Sequence, residues 1–330
     1  MSVAIVLNLH ARRGSERVAA MIRALLPRAR LAVTRSLDEA RAFFRDLAAD
    51  PPTLLLSGGG DGTAVAMINE LRGLDVALPP IGVLPLGTGN GWANVTHAPK
   101  TARALRRIAQ LGDAPPPVRS FALVEVEGRV APFAGTGWDA ELVTDFHAYL
   151  ESHPAPLRAA NAGVGGYLAA LFSRTIPRHV FGDGPAQVRL INTGEHALGV
   201  DEHGRVVRLE GGRAGAVLYE GPASVAAAAT TEEWGFGFRS FPFAHAAEGR
   251  MSVRMYGAKV LEATRNMFKL WRGEYPLKHM HDFLLTRCRM ELDRPVPFQI
   301  GGDVFGERLV LDFALSQERV DLVDWARLDG

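Results

Sequence analysis

Asp61 is the one carboxylate among the glycines of Ser57–Thr63 (SGGGDGT), a stretch that joins the apolar run TLLLS to the helical pattern AVAMINEL. A carboxylate in such a place suits phosphoryl transfer, where the protein must organise Mg²⁺ or accept the proton of an attacking hydroxyl. Glycines around it permit positive φ and let phosphate oxygens approach backbone N–H groups with no Cβ in the way. The following helix adds its N-terminal dipole, and Thr63 a hydroxyl. A plainer role is open too: Asp61 capping the helix that begins near Thr63. A second loop of the same kind, PLGTGNG at Pro85–Gly91, follows the next apolar strand and contains Gly87, Thr88, Gly89 and Asn90. Two such loops on neighbouring strands make a triphosphate cradle. Neither carries Gly-Lys-Ser/Thr or G-x-G-x-x-G, so both standard phosphate fingerprints are absent.

Such loops need an open α/β sheet to present them. From Val3 to Leu111 strands and amphipathic helices alternate. VAIVLNL precedes a helix with Val18, Met21, Ile22 and Leu25 on one face, and LAVT follows. Ser36 and Glu39 form a capping box for the next helix, with Ala40, Phe43, Phe44 and Leu47 in phase; IGVLP and KTARALRRIAQLG continue the rhythm. The alternation predicts a mostly parallel sheet flanked by helices. DAPPPVRS at 113–120 interrupts it, since three prolines continue neither helix nor central strand. Beyond lie strands of period two, FALVEVEG, MSVRMY and TRCRMEL, with helices near 140–150, 157–173 and 260–272. The expected organisation is a nucleotide-binding α/β domain over 1–118 and an antiparallel, β-rich sandwich domain over 119–311.

The 330 residues suit two domains, and 47% hydrophobic residues furnish two cores. A net charge of +1 gives no reason to expect nucleic acid as a partner. One cysteine, Cys288, excludes an internal disulfide framework and fits a reducing compartment, so the cytoplasm is the expected location. MSVAIVLNL reads as a first strand rather than a signal peptide. No stretch reaches the roughly 20 apolar residues of a membrane span.

GGGDGT, VLPLGTGNGWANV and FAGTGWDAEL together resemble the diacylglycerol-kinase catalytic-domain family, which includes bacterial lipid kinases and sphingosine kinases. The likeness runs over nearly the whole chain, from Asn8 and Thr34 through Gly137–Ala140 to PFQIGGDVFGERLVLDF. It implies a two-domain lipid kinase that moves the γ-phosphoryl group of ATP to a lipid hydroxyl in a cleft, touches the membrane peripherally and uses Mg²⁺. It further implies that the last strand returns to the first domain, so that 312–330 joins 1–118, and that Asn8, Thr34, Gly59, Gly60, Asp61, Gly62, Thr63 and the loop Gly87–Asn90 hold ATP.

The chain departs from that family in several places. Val65 and Ala66 stand where an acidic residue is usual, and Gly301-Gly302-Asp303 replaces Asp-Gly-Glu, leaving Asp303 as the acid–base candidate. An accessory Mg²⁺ site retains only Glu248, in FPFAHAAEGRM, and the first-strand Asn-Pro-x-x-Gly becomes Asn8-Leu9 with Gly14 displaced. These losses keep two alternatives open: a nucleotide- or lipid-binding homologue with impaired catalysis, and a kinase of a soluble acceptor such as NAD, which shares GGDGT. Three other clusters have plain explanations. His279 and His281 read as a solvated strand end, Arg103, Arg106 and Arg107 as a solvated helix face, and Met267, Phe268, Leu270 and Trp271 as core packing at helical spacing.

Overall fold

In the computed structural model, residues 1–154, 157, 158, 161, 163–181 and 184–329 are described. The chain divides into two compact units, Met1–Phe121 with Glu318–Gly330, and Ala122–Gln317.

The first unit begins with β1 (Val3–Asn8), α1 (Glu16–Leu25), β2 (Arg30–Thr34), α2 (Leu37–Ala49), β3 (Leu54–Gly59), α3 (Asp61–Gly73) and β4 (Ile81–Pro85). A short helix α4 (Gly91–Val95) and α5 (Thr101–Leu111) follow. β1 pairs in parallel with both β2 and β3, and β3 with β4, giving the order β2-β1-β3-β4. Chain direction across the sheet therefore reverses between β1 and β3, the switch point at whose carboxyl edge open α/β folds bind ligands. Local signals agree with the elements: Ser15 and Ser36 accept hydrogen bonds from Val18 N–H (3.4 Å) and Glu39 N–H (3.2 Å) as helix caps. The core lies between the sheet and α1 and α5, built from Ile5, Leu7, Ile22, Leu54, Leu56, Leu84, Leu105 and Ile108.

That core also takes Val323 and Trp325 from the far end of the chain. The last strand of the protein, β16 (Asp303–Val323), ends in this unit, where Leu322 pairs in parallel with Ile81 of β4. Trp325 N–H donates to the Thr96 carbonyl (3.1 Å), and Arg72 on α3 meets Glu318 at 2.7 Å. Arg107 belongs to this junction rather than to a solvated face. It is buried, reaches the Trp325 carbonyl at 3.4 Å, and its pKa is lowered by desolvation.

The second unit is antiparallel and β-rich. β5 (Val118–Val126) enters it and pairs with β6 (Arg129–Ala131); β7 (Phe133–Gly137) leads to α6 (Trp138–Glu151). After α6 come α7 (Val164–Ala170), a π-helical turn at Leu171–Thr175 and α8 (Ile176–Phe181). The expected helix over 157–173 thus lies partly outside the described residues. β8 (Ala186–Asn192), β9 (Leu198–Val200), β10 (Val206–Arg208), β11 (Val217–Ala223), β12 (Val225–Ala229) and β13 (Met251–Tyr256) precede α9 (Val260–Arg272), β14 (Met280–Leu285) and β15 (Arg287–Ile300). β15 forks the sheet: its first half pairs with β8 and its second with β7, while β16 runs along its other edge. The period-two reading of TRCRMEL holds, with Cys288, Met290 and Leu292 buried and Arg287 and Arg289 exposed.

Candidate functional site

Four strand ends carry the first unit's site. Asn8 pairs with Thr34 at the carboxyl ends of β1 and β2, and Gly59 with Pro85 at those of β3 and β4. Asn8 then reaches into the first glycine loop: its Nδ2 donates to Thr63 Oγ1 at 3.2 Å, while its Oδ1 accepts His10 N–H at 2.9 Å. The Thr63 hydroxyl accepts in that bond and retains its own proton to donate. Thr34 is buried and its hydroxyl lies 3.4 Å from the Leu7 carbonyl, so it braces β1 against β2. The displaced Gly14 closes the same corner. A Cβ there would lie 2.2 Å from the Asn8 carbonyl oxygen.

The two glycine loops touch each other through bare backbone. A Cβ on Gly60 would stand 2.9 Å from Gly87 Cα, and one on Gly87 would stand 2.2 Å from Gly60 Cα. Leu86 N–H donates to the Gly59 carbonyl (3.1 Å), and Arg13 N–H to the Leu86 carbonyl (2.9 Å). Positive φ plays no part at Gly58, Gly59, Gly60 or Gly87, contrary to one of the two reasons expected for them. The left-handed position is Asn90, at φ 55° and ψ 37°. Its side-chain amide makes two bonds to Gly87, accepting N–H and donating to the carbonyl, each at 3.0 Å, which fixes the loop Gly87–Asn90 around Thr88 and Gly89.

Asp61 is the bridge between the loops. It is the first residue of α3, whose N-cap, Gly60, provides no side-chain bond. Its carboxylate instead accepts Gly91 N–H (2.7 Å) and Trp92 N–H (3.0 Å), the first two amides of α4. Asp61 therefore does cap a helix, but the one after the second loop rather than its own. The two bonds, one from each oxygen, fix the carboxylate in direction. The only other acid of α3 is Glu70, engaged by Arg41 at 3.0 and 3.1 Å; Val65 is buried and Ala66 half-buried.

The second unit holds a carboxylate network of its own. Asp139, in the first turn of α6, receives Gln299 Nε2–H at 2.9 Å, and Gln299 Oε1 accepts Gly302 N–H at 2.8 Å. Burial pushes the Asp139 carboxyl up to about 7, against the opposing pull of Gln299 and of backbone amides at the start of α6. Gly301 and Gly302, at φ 60° and 94°, form the two-residue hairpin that places Ile300 opposite Asp303. The Gly-Gly turn preserves the hairpin while removing a carboxylate. Asp303 follows at the surface; desolvation by neighbouring groups raises its pKa, and His147 and Arg129 oppose the rise. Tyr167, stacked on Phe146 at 3.8 Å, is pushed up to about 12 by burial and by Asp303. Sequence reasoning gave Asp139 no role; its signal was the Gly-x-Asp-Ala string, and its unusual proton affinity needed burial to be seen.

Glu248 is exposed, in a turn ahead of β13. Among the described residues no group of three or more His, Cys, Asp or Glu side chains is placed to hold a metal ion. His279 lies just before β14 in the left-handed region, with Glu262 3.8 Å away, so only His281 is on the strand.

The diacylglycerol kinase catalytic domain profile matches residues 3–115, about a third of the chain, so this stretch is similar to that family's catalytic domain. A "Probable lipid kinase YegS-like" protein of Serratia proteamaculans is 32% identical over 122 residues. That match spans 36% of this chain and 36% of the relative. Over the full length, the fold is that of a diacylglycerol kinase from Bacillus anthracis, with TM-score 0.65, 16% identity and coverage of 98% and 96% of the two chains. A crystallised NAD kinase from Archaeoglobus fulgidus in complex with ATP is more distant, at TM-score 0.50, 11% identity and coverage of 98% and 93%. No helix among the described residues is long and apolar enough to cross a membrane.

Proposed function

We propose that the protein is an ATP- and Mg²⁺-dependent lipid kinase, transferring the γ-phosphoryl group to a diacylglycerol-like or sphingoid hydroxyl. The observation that carries this is the Asp61 bridge, in which a fixed carboxylate joins two close-packed glycine loops at the switch point of a kinase-family sheet. In this reading the loop Gly59–Thr63 and the loop Gly87–Asn90 hold the phosphates, with Asn8 orienting Thr63 and Thr34 bracing the strand ends. Mg²⁺ supplies charge neutralisation when bound with ATP, and Asp61 is the residue of the cradle suited to it. A lone exposed Glu248 does not by itself fit an accessory ion.

Asp303 is assigned to take the proton of the acceptor hydroxyl, its raised pKa making it a better base than an ordinary aspartate. Asp139, titrating near neutrality, is the group best placed chemically to hold that proton afterwards. The missing carboxylates at Ala66 and Gly301 support a second reading, a homologue that binds nucleotide with little or no turnover. The protein is expected to act in the cytoplasm and peripherally on a membrane.

The test is transfer of label from γ-labelled ATP and Mg²⁺ to micellar diacylglycerol, phosphatidylglycerol, sphingosine, ceramide and prenols, with NAD as a soluble acceptor. One labelled lipid, lost in Asp61→Asn, supports the kinase and names its substrate. Label on NAD alone, or ATP binding with no labelled product, overturns it in favour of the soluble-acceptor or the impaired reading.

A further inference from the structure

Helix α9 turns an unusual face outward. Leu261, Arg265, Phe268 and Arg272 recur at steps of four, three and four residues, the spacing of one helical stripe, and all four are exposed, as is Lys269 beside them. Phe268 is 75% exposed and Leu261 65%, the two most exposed large apolar side chains among the described residues. The opposite face is already in use. Ala263 is buried and Leu270 packs on Tyr256, Ala258 and Met280, while Trp271 meets the ring of Phe238 edge-on at 5.3 Å. The expectation that Phe268 is core therefore fails, because the inner half of the helix satisfies the core without it.

The charges of α9 and its N-cap are one-sided. From Lys259 to Arg272 there are four cations, Lys259, Arg265, Lys269 and Arg272, against one acid, Glu262, in a chain whose net charge is only +1. Glu262 lies 3.8 Å from His279, and Arg272 is shared with Glu274 at 3.4 Å. Among the described residues no carboxylate pairs with Lys259, Arg265 or Lys269.

We propose that the outer face of α9 docks on an anionic phospholipid surface, with Leu261 and Phe268 entering the acyl boundary and Arg265, Lys269 and Arg272 meeting headgroup phosphates. Interposed apolar and basic side chains on one stripe match the layering of a bilayer interface, where hydrocarbon lies one side-chain length beneath negative charge. A nucleic acid would use the cations and leave Leu261 wet. The proposal deepens the lipid-kinase reading and rests on it, since a soluble enzyme acting on lipid must hold the surface that contains its substrate.

The experiment is co-sedimentation of the full chain, without nucleotide, with vesicles of phosphatidylglycerol and phosphatidylcholine and with vesicles of phosphatidylcholine alone. The expected result is binding to the anionic vesicles only, weakened about ten-fold or more in Leu261→Ser/Phe268→Ser and in Arg265→Glu/Lys269→Glu. Thermal midpoints should match the parent, because these side chains are outside the core; if one double variant fails to fold, the other carries the test. Equal binding by parent and variants, or no binding by the parent, overturns the proposal. A lipid-free dimer, seen by light scattering and dissolved by Leu261→Ser/Phe268→Ser, overturns it in favour of a second copy. Phosphoryl transfer to detergent-dispersed lipid is measured in parallel. Vesicle binding without any transfer leaves the docking face standing and rejects the kinase, whereas transfer with variant-insensitive vesicle binding does the reverse.

Discussion

At the scale of single residues, Asp61 caps a helix, its oxygens accepting the Gly91 and Trp92 amides, and the proposed role in phosphoryl transfer is compatible with that bridge. Asp61→Asn turns one oxygen into an NH₂ group that faces an N–H donor, a loss of about 1–3 kcal/mol. The fold is expected to survive and phosphoryl transfer to disappear, checked by circular dichroism melting beside the labelled-phosphate assay. Gly87→Ala sets a Cβ against Gly60 backbone rather than a yielding side chain. It should part the loops and weaken ATP binding by about ten-fold or more in calorimetry, since amides displaced by even an ångström no longer converge on a phosphate.

Asp139 makes a prediction in pH. Its folded carboxyl titrates near 7 against an ordinary 3.8, so the native state holds the proton more tightly than the unfolded chain. That contribution to stability is complete below about pH 4 and is lost as pH rises through about 7, amounting at most to about 4 kcal/mol. Asp139→Asn should flatten this slope, read from urea midpoints across the pH range. An unchanged slope would place the titrating group elsewhere.

Elements decide how those residues meet. The β15–β16 hairpin carries Gln299 toward Asp139 and offers Asp303 directly after a Gly-Gly turn. Helix α6 is held against α8 by Arg178, 2.5 Å from Asp145, and by the contact between His179 and Glu141; Thr175, in the π-helical turn, adds a 2.8 Å bond to Asp145. Restoring Asp at Gly301 is compatible with the turn, because Asp tolerates the left-handed region better than most residues. If the impaired reading is correct, Gly301→Asp is expected to raise transfer in the labelled-phosphate assay, whereas an already active kinase should change little.

On the scale of the whole molecule, the last residues of the chain complete the first unit's core. Trp325 is fully buried among Leu84, Leu105 and Ile108, and Leu322 extends the parallel sheet beside β4. Trp325→Ala should cost about 3–5 kcal/mol, the range for emptying a large aromatic from a core. Because the loops stand on β3 and β4, ATP affinity should fall with the melting temperature, a joint loss that calorimetry and thermal unfolding would show.

The sequence determined the alternation of β1 to α5, the loop positions and the acids available, since these depend on hydrophobic period, caps and glycine spacing within short windows. It also carried the family likeness through GGGDGT and PLGTGNG. Tertiary structure alone decided which helix Asp61 caps, that Gly60 and Gly87 are small to admit each other, and that Asn90 rather than a glycine takes the left-handed turn. It alone buried Arg107, left Phe268 outside, and raised Asp139. Each of these depends on what a distant segment places beside the residue: contact distance, lost water and neighbouring charge are properties of the packed chain, and local pattern does not encode them.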